Sequence, residues 1–420
     1  MPDIKYAQTE AVDKGSLKVE VLTNRTRRPI EGARITISYS GDPDSTVEEV
    51  SADDSGMSEK LTLDAPPLEY SMEPSENQPF AQYTVKVTAP GYRPVSISGV
   101  QVFSEQLALQ QVRMAEENEE ENQIDSIVIP VNTLFGNFPA KIAESEIKPV
   151  SDSGEIVLSK VVIPEFVVVH DGPPSDPNAA NYYVRYRDYI KNVASSEIYA
   201  TWPQDTIRAN VLAIMSFTLN RVYTEWYRNQ GYDFTITSST AFDHKWIPER
   251  NVFDTISEIV DEQFASYLSR PNVRQPILTQ YCDGRRVQCP NWMTQWGSKA
   301  LGDQGYSPIE ILRYYYGDNM YINTAQEISG VPSSWPGYTL SNGSSGDKVR
   351  QMQEQLNVIA GAYPAIPKVT VDGIYGPATA ASVRKFQSVF GLPETGTVDY
   401  RTWYKISEIY VGVSRIAELV

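Results

Sequence analysis

The sequence has few of the residues that bind metals or cross-link a chain. In 420 residues it contains two cysteines, Cys282 and Cys289, and two histidines, His170 and His244. A structural zinc site takes about four such ligands, and six residues separate the cysteines where a zinc ribbon has two. We therefore predict no metal and no cofactor. The cysteines are expected either to remain thiols or to form one disulfide that closes a turn.

Long hydrophobic runs and positive charge are also scarce. No apolar stretch reaches the roughly 18 residues of a membrane-spanning helix, and the first residues lack the basic and apolar segments of a Sec signal. The net charge of -17, from 36 basic and 53 acidic residues, argues against nucleic acid or an anionic membrane as the main partner. We expect neither nucleic-acid binding nor membrane insertion.

The chain is long enough for several domains, and its pattern divides into three parts. Residues 1–115 alternate in short strands between Pro, Gly, Asp and Ser clusters, which predicts an all-β sandwich. Within this part, residues 29–33 and 89–92 resemble modules related to carboxypeptidase regulatory domains. Residues 116–123 contain five Glu in eight positions, which predicts a solvated, protease-accessible linker.

The middle part, residues 124–330, mixes strands and helices without a regular repeat, which favours an α+β domain. Helical patterns occur around residues 186–197, from Pro203 to about Arg228, and near residues 251–270. A Gly-rich phosphate loop, a Gly-x-Ser-x-Gly elbow and a His-Glu-x-x-His helix are all missing from the sequence. Several classes of enzyme are thereby made improbable.

After a linker at residues 331–345, residues 346–420 are typical of a small three-helix module. Apolar residues at helical spacing include Val349, Met352 and Leu356, and turn residues separate the helices. The pattern resembles the peptidoglycan-binding type 1 domain. The matching positions are Gly346-Asp347, Val349, Gln353, Leu356, Asp372-Gly373, Tyr375-Gly376, Thr379, Val383, Phe386-Gln387, Gly391-Leu392 and Thr402-Trp403. This resemblance implies peptidoglycan as a partner.

Glu197 ends one helical pattern and is separated from the next by Tyr-Ala-Thr-Trp-Pro. An acid at such a junction can face a cleft. The stretch around Glu197 resembles the core motif of the stage II sporulation protein D family, and residues 293–317 resemble that family's closing signature. The order of the three parts is similar to that of the SleC-type spore cortex-lytic enzymes of clostridia.

These resemblances imply a peptidoglycan lytic transglycosylase in which Glu197 is the single catalytic acid and base. Such an enzyme protonates the leaving oxygen and then deprotonates the muramic C6 hydroxyl, which gives a 1,6-anhydro end. Burial beside apolar groups would keep the acid protonated near neutral pH. Residue type alone favours a solvated residue at a helix end for Glu197, and it is the resemblance that favours the catalytic role.

Further residues are candidates for binding substrate near this acid. Thr240, Asp243, His244 and Trp246 lie in a polar loop that aligns loosely with the family. His244 departs from the Asp-Gln sequence that is usual in the family at this point. A surface loop without function is an equal alternative. The full set of substrate-binding candidates is Tyr199, Trp202, Thr240, Asp243, His244, Trp246, Gln295 and Tyr306.

The resemblance also implies regulation and location. It predicts a proenzyme that a germination protease activates by cutting near residues 116–125, and a protein made in the mother cell without a Sec signal and deposited around the spore cortex. Two other functions stay open: a non-catalytic wall or spore protein that binds peptidoglycan, and a cortex hydrolase of the muramidase or amidase type.

Overall fold

The computed structural model describes residues 12–118, 126–148, 158–325, 327–329 and 335–414. Within these residues the N-terminal part is β-rich, the middle part is mixed and the C-terminal part is helical. The predicted order of a β-rich, a mixed and a helical part is confirmed at this coarse level, and the finer architecture of each part stays a prediction. The exact domain boundaries stay predictions, and most of the acidic run at residues 116–123 lies outside the described residues, as does most of the predicted cleavage region.

The N-terminal part, residues 12–118, is called the β region below. Its elements are β1 (Asp13–Thr23), β2 (Arg34–Tyr39), β3 (Asp42–Ser51), β4 (Leu61–Ala65), α1 (Glu69–Met72), β5 (Phe80–Thr88), β6 (Val95–Phe103) and β7 (Leu107–Met114). Alternating side chains of β1, namely Leu17, Val19 and Val21, are fully buried. The period-two pattern therefore forms strands with one face in a core.

The middle part contributes the remaining strands and five helices among the described residues. These are β8 (Ser126–Val128), β9 (Val162–Ile163), β10 (Phe166–His170), β11 (Asn181–Arg185), α2 (Tyr186–Glu197), α3 (Gln204–Tyr223), β12 (Ile236–Thr237), β13 (Val252–Phe253), α4 (Asp254–Gln263), β14 (Ser266–Ser269), β15 (Tyr281–Cys282), β16 (Met293–Thr294), α5 (Gln295–Asp303), α6 (Pro308–Tyr316), β17 (Tyr321–Thr324) and β18 (Glu327–Ile328). A 3₁₀ turn covers Arg228–Gln230.

The two sheets of the β region each gain a strand from the middle part. One sheet has the order β13-β7-β1-β4, and the other has the order β3-β2-β5-β6-β8. The parallel pairing of β8 with β6 is continued by Ile129, whose N–H donates to the carbonyl of Ser98 over 2.8 Å. The β region and the middle part are therefore joined by backbone hydrogen bonds as well as by side-chain packing.

Helix α3 is the centre of the middle part, and it is buried on nearly all sides against α2, α4, α5 and α6. It begins directly after Pro203, as the sequence predicts, but ends at Tyr223 rather than near Arg228. Glu225 has a φ of 46°, in the left-handed region that a right-handed helix cannot include. The predicted third helix is also shorter: it ends at Gln263, and residues 266–269 instead form β14 by pairing with β17.

The C-terminal part contains α7 (Asp347–Ala362), α8 (Pro377–Val389) and α9 (Tyr400–Ser414). Val349, Met352 and Leu356 on α7 pack with Val383 and Phe386 on α8, and all five are fully buried. The predicted three-helix module is thus present. In the described part of the chain, no helix is both long and apolar enough to cross a lipid bilayer.

Buried ion pairs connect α2 to α4 and to α9. Arg187 pairs with Asp261 at 3.3 Å and with Glu408, while Lys191 pairs with the same Asp261 at 2.8 Å. Burial alone would raise the pKa of Asp261, but the charges of Lys191 and Arg187 hold it below its usual range. The C-terminal module is therefore docked on the first half of α2, the helix whose last residue is Glu197.

The β region contacts the other end of α2. The indole N–H of Trp202 donates to the carbonyl of Ser71 over 2.9 Å, and the ring of Tyr199 packs on that of Phe103. These contacts fix the chain that follows Glu197 against the β region.

Candidate active site

Glu197 is the last residue of α2, and the following residue, Ile198, is already extended. Two side-chain contacts orient the loop that faces it. Asn192 donates to the carbonyl of Ile247 over 2.7 Å and accepts from its N–H over 3.0 Å, which holds residues 244–247 against α2. As a result, the N–H of Lys245 donates to Oε1 of Glu197 over 2.5 Å.

Gln295, the first residue of α5, holds Glu197 from another side. Its Nε2 donates to the backbone carbonyl of Glu197 over 2.7 Å and to Oε2 over 3.4 Å. Two elements distant in sequence therefore fix both oxygens of one carboxyl group.

The carboxyl group of Glu197 is buried, with the residue only 7% exposed. Burial raises the pKa of Glu197, and this effect outweighs the opposing effects of Lys141, of the Tyr281 hydroxyl and of Lys245. The Tyr281 hydroxyl faces the carboxyl without a hydrogen bond of good geometry and has no other partner among the described residues. The site thus contains an acid with an elevated pKa that faces a buried tyrosine hydroxyl.

Glu197 lines a small pocket of about 60 Å³. Pockets for small organic ligands have volumes of about 300–1,000 Å³, so this one holds water but not a sugar ring. The residues that line it are Leu134, Phe138, Pro139, Lys141, Ser196, Glu197, Thr240, Lys245, Tyr281, Cys282, Asp283, Val287 and Gln295. Four of these belong to residues 129–148, which we call the covering segment.

The covering segment runs from β8 across the pocket. Near its start, Asn132 donates to the carbonyl of Ser196 over 2.7 Å, and the N–H of Leu134 donates to the Tyr199 hydroxyl over 3.1 Å. Farther along, Glu144 accepts from both terminal nitrogens of Arg221 at 2.9 and 2.6 Å. The segment is therefore attached on both sides of Glu197.

Lys141 is the charged residue of the covering segment inside the pocket. Its Nζ donates to the carbonyl of Asp243 over 2.8 Å and lies 4.5 Å from the centre of the Tyr281 ring. Burial lowers the pKa of Lys141, although the charges of Glu197 and Asp243 counteract this. An ammonium group thus lies close enough to Glu197 to favour the carboxylate form.

The predicted site residues divide by position. Thr240 and Gln295 line the pocket with Glu197. Tyr199 and Trp202 are buried behind it, where the Tyr199 hydroxyl holds the covering segment and Trp202 holds the β region. Neither of these two aromatic residues lines the pocket.

Asp243 and His244 are completely buried and make internal contacts. The carboxylate of Asp243 accepts from Arg221 over 2.7 Å, from the Tyr227 hydroxyl over 2.6 Å and twice from Thr237. Nδ1 of His244 lies 3.0 Å from the Tyr189 hydroxyl, and burial holds the pKa of His244 well below its usual value. Both residues belong to the core behind the pocket.

Trp246 and Tyr306 are placed elsewhere. Trp246 lines a different and larger cavity of about 420 Å³, and Tyr306 is partly exposed after α5. Neither borders the pocket of Glu197.

Five polar residues of the pocket did not emerge from the sequence as candidates: Lys141, Ser196, Lys245, Tyr281 and Asp283. Tyr281 and Asp283 flank Cys282, which forms a disulfide with Cys289 in the structure, so the cysteine pair could have marked this loop. Lys141 carries no local signal, because only the folding of the covering segment brings it to Glu197. Asp283 accepts three backbone N–H groups, from Arg285, Arg286 and Val287.

The described residues contain no group of three His, Cys, Asp or Glu side chains that could hold a metal ion.

Comparisons with known proteins find similarity in the C-terminal module. Residues 345–406 match the family described as a putative peptidoglycan binding domain. A zinc D-Ala-D-Ala carboxypeptidase from Streptomyces albus G is 44% identical over 77 residues, which is 18% of this chain and 28% of that protein. An uncharacterized protein from Kitasatospora aureofaciens is 40% identical over 83 residues, which is 20% of this chain and 64% of that protein.

Among solved structures, the SleB N-terminal domain is 27% identical and aligns with 18% of this chain and 99% of its own length, with a TM-score of 0.16. The Bacillus anthracis TIE protein is 19% identical over 25% of this chain and 17% of its own, with a TM-score of 0.17. The chain spans less than two thirds of both curated relatives. The matched family supports peptidoglycan as a partner of the C-terminal module.

Proposed function

We propose that this protein is a peptidoglycan lytic transglycosylase that cleaves the bond between N-acetylmuramic acid and N-acetylglucosamine. The observation that carries the proposal is Glu197, a buried acid with a raised pKa in a pocket, in a chain that also contains a peptidoglycan-binding module. The sequence resemblance around Glu197 to the stage II sporulation protein D family supports the choice of reaction.

The chemistry needs one group that first gives and then takes a proton. Protonated Glu197 donates its proton to the glycosidic oxygen as the bond from C1 to that oxygen breaks. The resulting carboxylate then accepts the proton of the C6 hydroxyl while the C6 oxygen bonds to C1. Burial favours the protonated form of Glu197, which the first step needs. The Lys245 N–H and the nearby Lys141 stabilise the carboxylate form, which the second step needs.

A muramidase is the second candidate, because Asp283 is another carboxylate in the same pocket. A hydrolase with two carboxylates needs the second one as a base or a nucleophile. Asp283 instead accepts three N–H groups of its own loop, which favours a structural task. Asp283→Asn should therefore leave most of the activity, whereas a loss as complete as that of Glu197→Gln would favour the hydrolase.

Mass spectra of spore cortex digested with the chain cut within residues 116–125, the form proposed below to be active, test the proposal directly. Anhydro-muramic ends are expected. Reducing muramic ends would indicate a muramidase, freed peptides an amidase, and unchanged polymer a non-catalytic wall protein, and each of these three results would refute the transglycosylase.

We further propose that the intact chain is a proenzyme of the spore, activated by a germination protease near residues 116–125. Support comes from the covering segment, which leaves a pocket of only about 60 Å³. No described residue of the β region lines this pocket; the β region instead anchors one end of the covering segment through β8 and Ile129. Cutting the chain before Ser126 would let that anchor separate and the first part of the segment, up to Phe138, lift. The pairing of Glu144 with Arg221 still holds the later part, which carries Lys141.

The lytic rates of the intact chain and of the chain cut within residues 116–125 test this regulation. The cut chain should be faster, and equal rates would refute the proenzyme while leaving the transglycosylase untouched. The cortex as substrate and synthesis in the mother cell belong to the same proposal and rest on the sequence resemblance.

A further inference from the structure

The loop closed by the disulfide between Cys282 and Cys289 carries an arginine that reaches two other parts of the chain. We call residues 282–289 the disulfide loop. The guanidinium group of Arg286, within this loop, contacts both the covering segment and the β region. The chemistry of Glu197 does not depend on these contacts, so they point to a separate role for Arg286.

The backbone of the disulfide loop is fixed from within. The carboxylate of Asp283 accepts three backbone N–H groups over 2.8–3.2 Å, from Arg285, Arg286 and Val287. The disulfide then closes the loop at Cys289. A side chain on such a backbone starts from a fixed point, so it loses less conformational freedom when it makes contacts.

Arg286 holds the first part of the covering segment by two contacts. Its Nη1 donates to Oδ1 of Asn137 over 2.9 Å, and its guanidinium carbon lies 4.2 Å from the centre of the Phe135 ring. A guanidinium group is attracted to an aromatic face, and a charged donor forms a stronger hydrogen bond than a neutral one. Both contacts therefore favour the position in which the segment lies against the disulfide loop.

The other terminal nitrogen of Arg286 reaches the β region. Nη2 donates to Oε1 of Glu76 over 2.6 Å. The Glu76 side chain is 82% exposed, so this ion pair contributes little by itself. It does orient the guanidinium group, because the planar fork of one arginine serves Glu76 and Asn137 together. The β region is thus connected to the covering segment at a second place, in addition to β8.

Arg286 joins two segments that line the pocket of Glu197. The disulfide loop contributes Cys282, Asp283 and Val287 to the lining, and the first part of the covering segment contributes Leu134 and Phe138. Phe135 and Asn137, which Arg286 contacts, lie between these last two residues in the chain. Lifting the first part of the covering segment from the pocket would therefore break the contacts of Arg286.

We propose that Arg286 is an autoinhibitory clasp that holds the first part of the covering segment over Glu197 in the intact chain. The clasp rests on the proenzyme proposed above and adds a residue that keeps it closed. In the intact chain it acts together with the pairing of β8 and β6. Cutting before Ser126 lets that pairing separate and leaves only side-chain contacts to hold the first part of the segment.

Hydrogen exchange of the intact chain, measured by mass spectrometry of short peptides, tests the clasp without any enzymatic activity. The N–H of Leu134 donates to the Tyr199 hydroxyl over 3.1 Å, so its exchange reports opening of the first part of the segment. Arg286→Gln should speed this exchange by about three- to tenfold, because it removes a cation–π contact and a charged hydrogen bond. The N–H of Ile142, which donates to the carbonyl of Ala241 over 2.7 Å in the later part, should exchange as before.

Arg285→Gln is the matched control. Arg285 is an exposed arginine of the same loop, and its side chain forms no hydrogen bond or ion pair with the residues that the structure describes. Both variants remove one positive charge, so a difference between them reports the contacts of Arg286. Unchanged exchange at Leu134 in Arg286→Gln, or the same acceleration in Arg285→Gln, would overturn the clasp. Thermal unfolding establishes that each variant is folded.

The part of Glu76 is tested by a double variant. Adding Glu76→Gln to Arg286→Gln should accelerate exchange at Leu134 no further, because the ion pair is already broken. A further acceleration would show that Glu76 is not part of the clasp.

Lytic rates then separate the clasp from the proposed function. The intact Arg286→Gln chain should lyse cortex about three- to tenfold faster than the intact parent, and the two should be equal once cut within residues 116–125. Faster exchange without faster lysis, while the cut parent is active, would overturn Arg286 as an inhibitor. A cut parent that releases nothing from cortex would instead refute the proposed function, and the exchange of Leu134 would still decide whether Arg286 holds the segment.

Discussion

The backbone N–H of Lys245 donates a 2.5 Å hydrogen bond to Oε1 of Glu197. The two residues are 48 positions apart, and the bond exists because Asn192 ties residues 244–247 to the side of α2. A backbone donor cannot rotate away, so this carboxyl oxygen is fixed, while Nε2 of Gln295 contacts the other oxygen over 3.4 Å. Substitution of Glu197 by Gln keeps this acceptor and removes only the exchangeable proton of the acid.

Glu197→Gln should therefore reduce the rate of cortex lysis by at least about 100-fold with little change in thermal stability, since general acid catalysis contributes about 10²–10⁴-fold. Release of soluble muropeptides by the chain cut within residues 116–125 measures the rate. Asp205→Asn is the control, because Asp205 is an exposed acid in the first turn of α3 outside the pocket. A Glu197→Gln variant that lyses cortex as fast as Asp205→Asn would exclude Glu197 as the acid.

Lys141→Met should shift the pH dependence of lysis. Lys141 lowers the pKa of Glu197, so its removal raises that pKa further. The protonated form of Glu197 then persists to higher pH, and the alkaline limb of the rate profile shifts to higher pH by about one unit. The profile is measured on the chain cut within residues 116–125.

Lys245→Met is the graded control for this shift. The charge of Lys245 also lowers the pKa of Glu197 but less strongly than that of Lys141, so a smaller upward shift is expected. A downward shift in Lys141→Met would contradict the electrostatic role assigned to this lysine.

Phe138→Ala should activate the intact chain. Phe138 is part of the covering segment and lines the pocket of Glu197, so truncation enlarges the space above the acid. The lytic rate of uncut protein should rise severalfold. Val131→Ala, at a residue of the same segment that is 59% exposed, should leave the rate unchanged. If both variants remained as slow as the uncut parent while the cut chain was fast, the inhibition would have to arise elsewhere.

Asp243→Asn should mainly reduce stability, whereas Thr240→Ala should mainly change substrate binding. Asp243 is completely buried and neutralises Arg221, so its loss should lower the free energy of unfolding by about 3–5 kcal/mol. Thr240 is partly exposed in the pocket, so Thr240→Ala should alter KM with little effect on stability. Denaturant unfolding and lysis kinetics measure the two effects. An unchanged unfolding midpoint in Asp243→Asn would restore this residue as a candidate for substrate binding.

The ion pairs of α2 should make stability sensitive to acid. The pKa values of Asp188, Asp261 and Glu408 are held below their usual range by neighbouring arginine and lysine side chains, against the effect of burial. The stabilisation is present above their unfolded pKa values, near 4, and is lost as the pH falls through the lower folded values. Thermal unfolding should show a plateau above about pH 5 and a decline below about pH 4.

Asp261→Asn should lower the plateau and flatten this decline, because one of the titrating groups is gone. Glu262→Gln, at the neighbouring surface ion pair with Arg208, should change neither feature by much. A decline of the same size in Asp261→Asn and in the parent would show that other carboxylates cause the loss of stability in acid.

The sequence by itself determined the elements that depend on local pattern. The period-two alternation of β1 requires one buried face, Pro203 fixes where α3 begins, and the apolar spacing of α7 and α8 forms the core of the C-terminal module. The position of Glu197 at the end of α2 is likewise local, since the helical pattern stops there. The sequence predicts the C-terminal ends of α3 and α4 less accurately. Glu225, in the left-handed region, follows α3, and the residues after α4 form a strand because they pair with β17, far along the chain.

Only the tertiary structure decided which polar residues meet Glu197. Thr240 and Gln295 reach its pocket. Tyr199, Trp202, Asp243 and His244 pack behind it, and Trp246 lines a separate cavity. Lys141 enters the pocket from a segment that carries no sequence signal for it, and Tyr281 enters beside Cys282, whose disulfide with Cys289 is the one local mark of that loop. The reason is physical: a loop's sequence shows that its side chains are polar, but their direction is set by hydrogen bonds and ion pairs with residues far away in the chain.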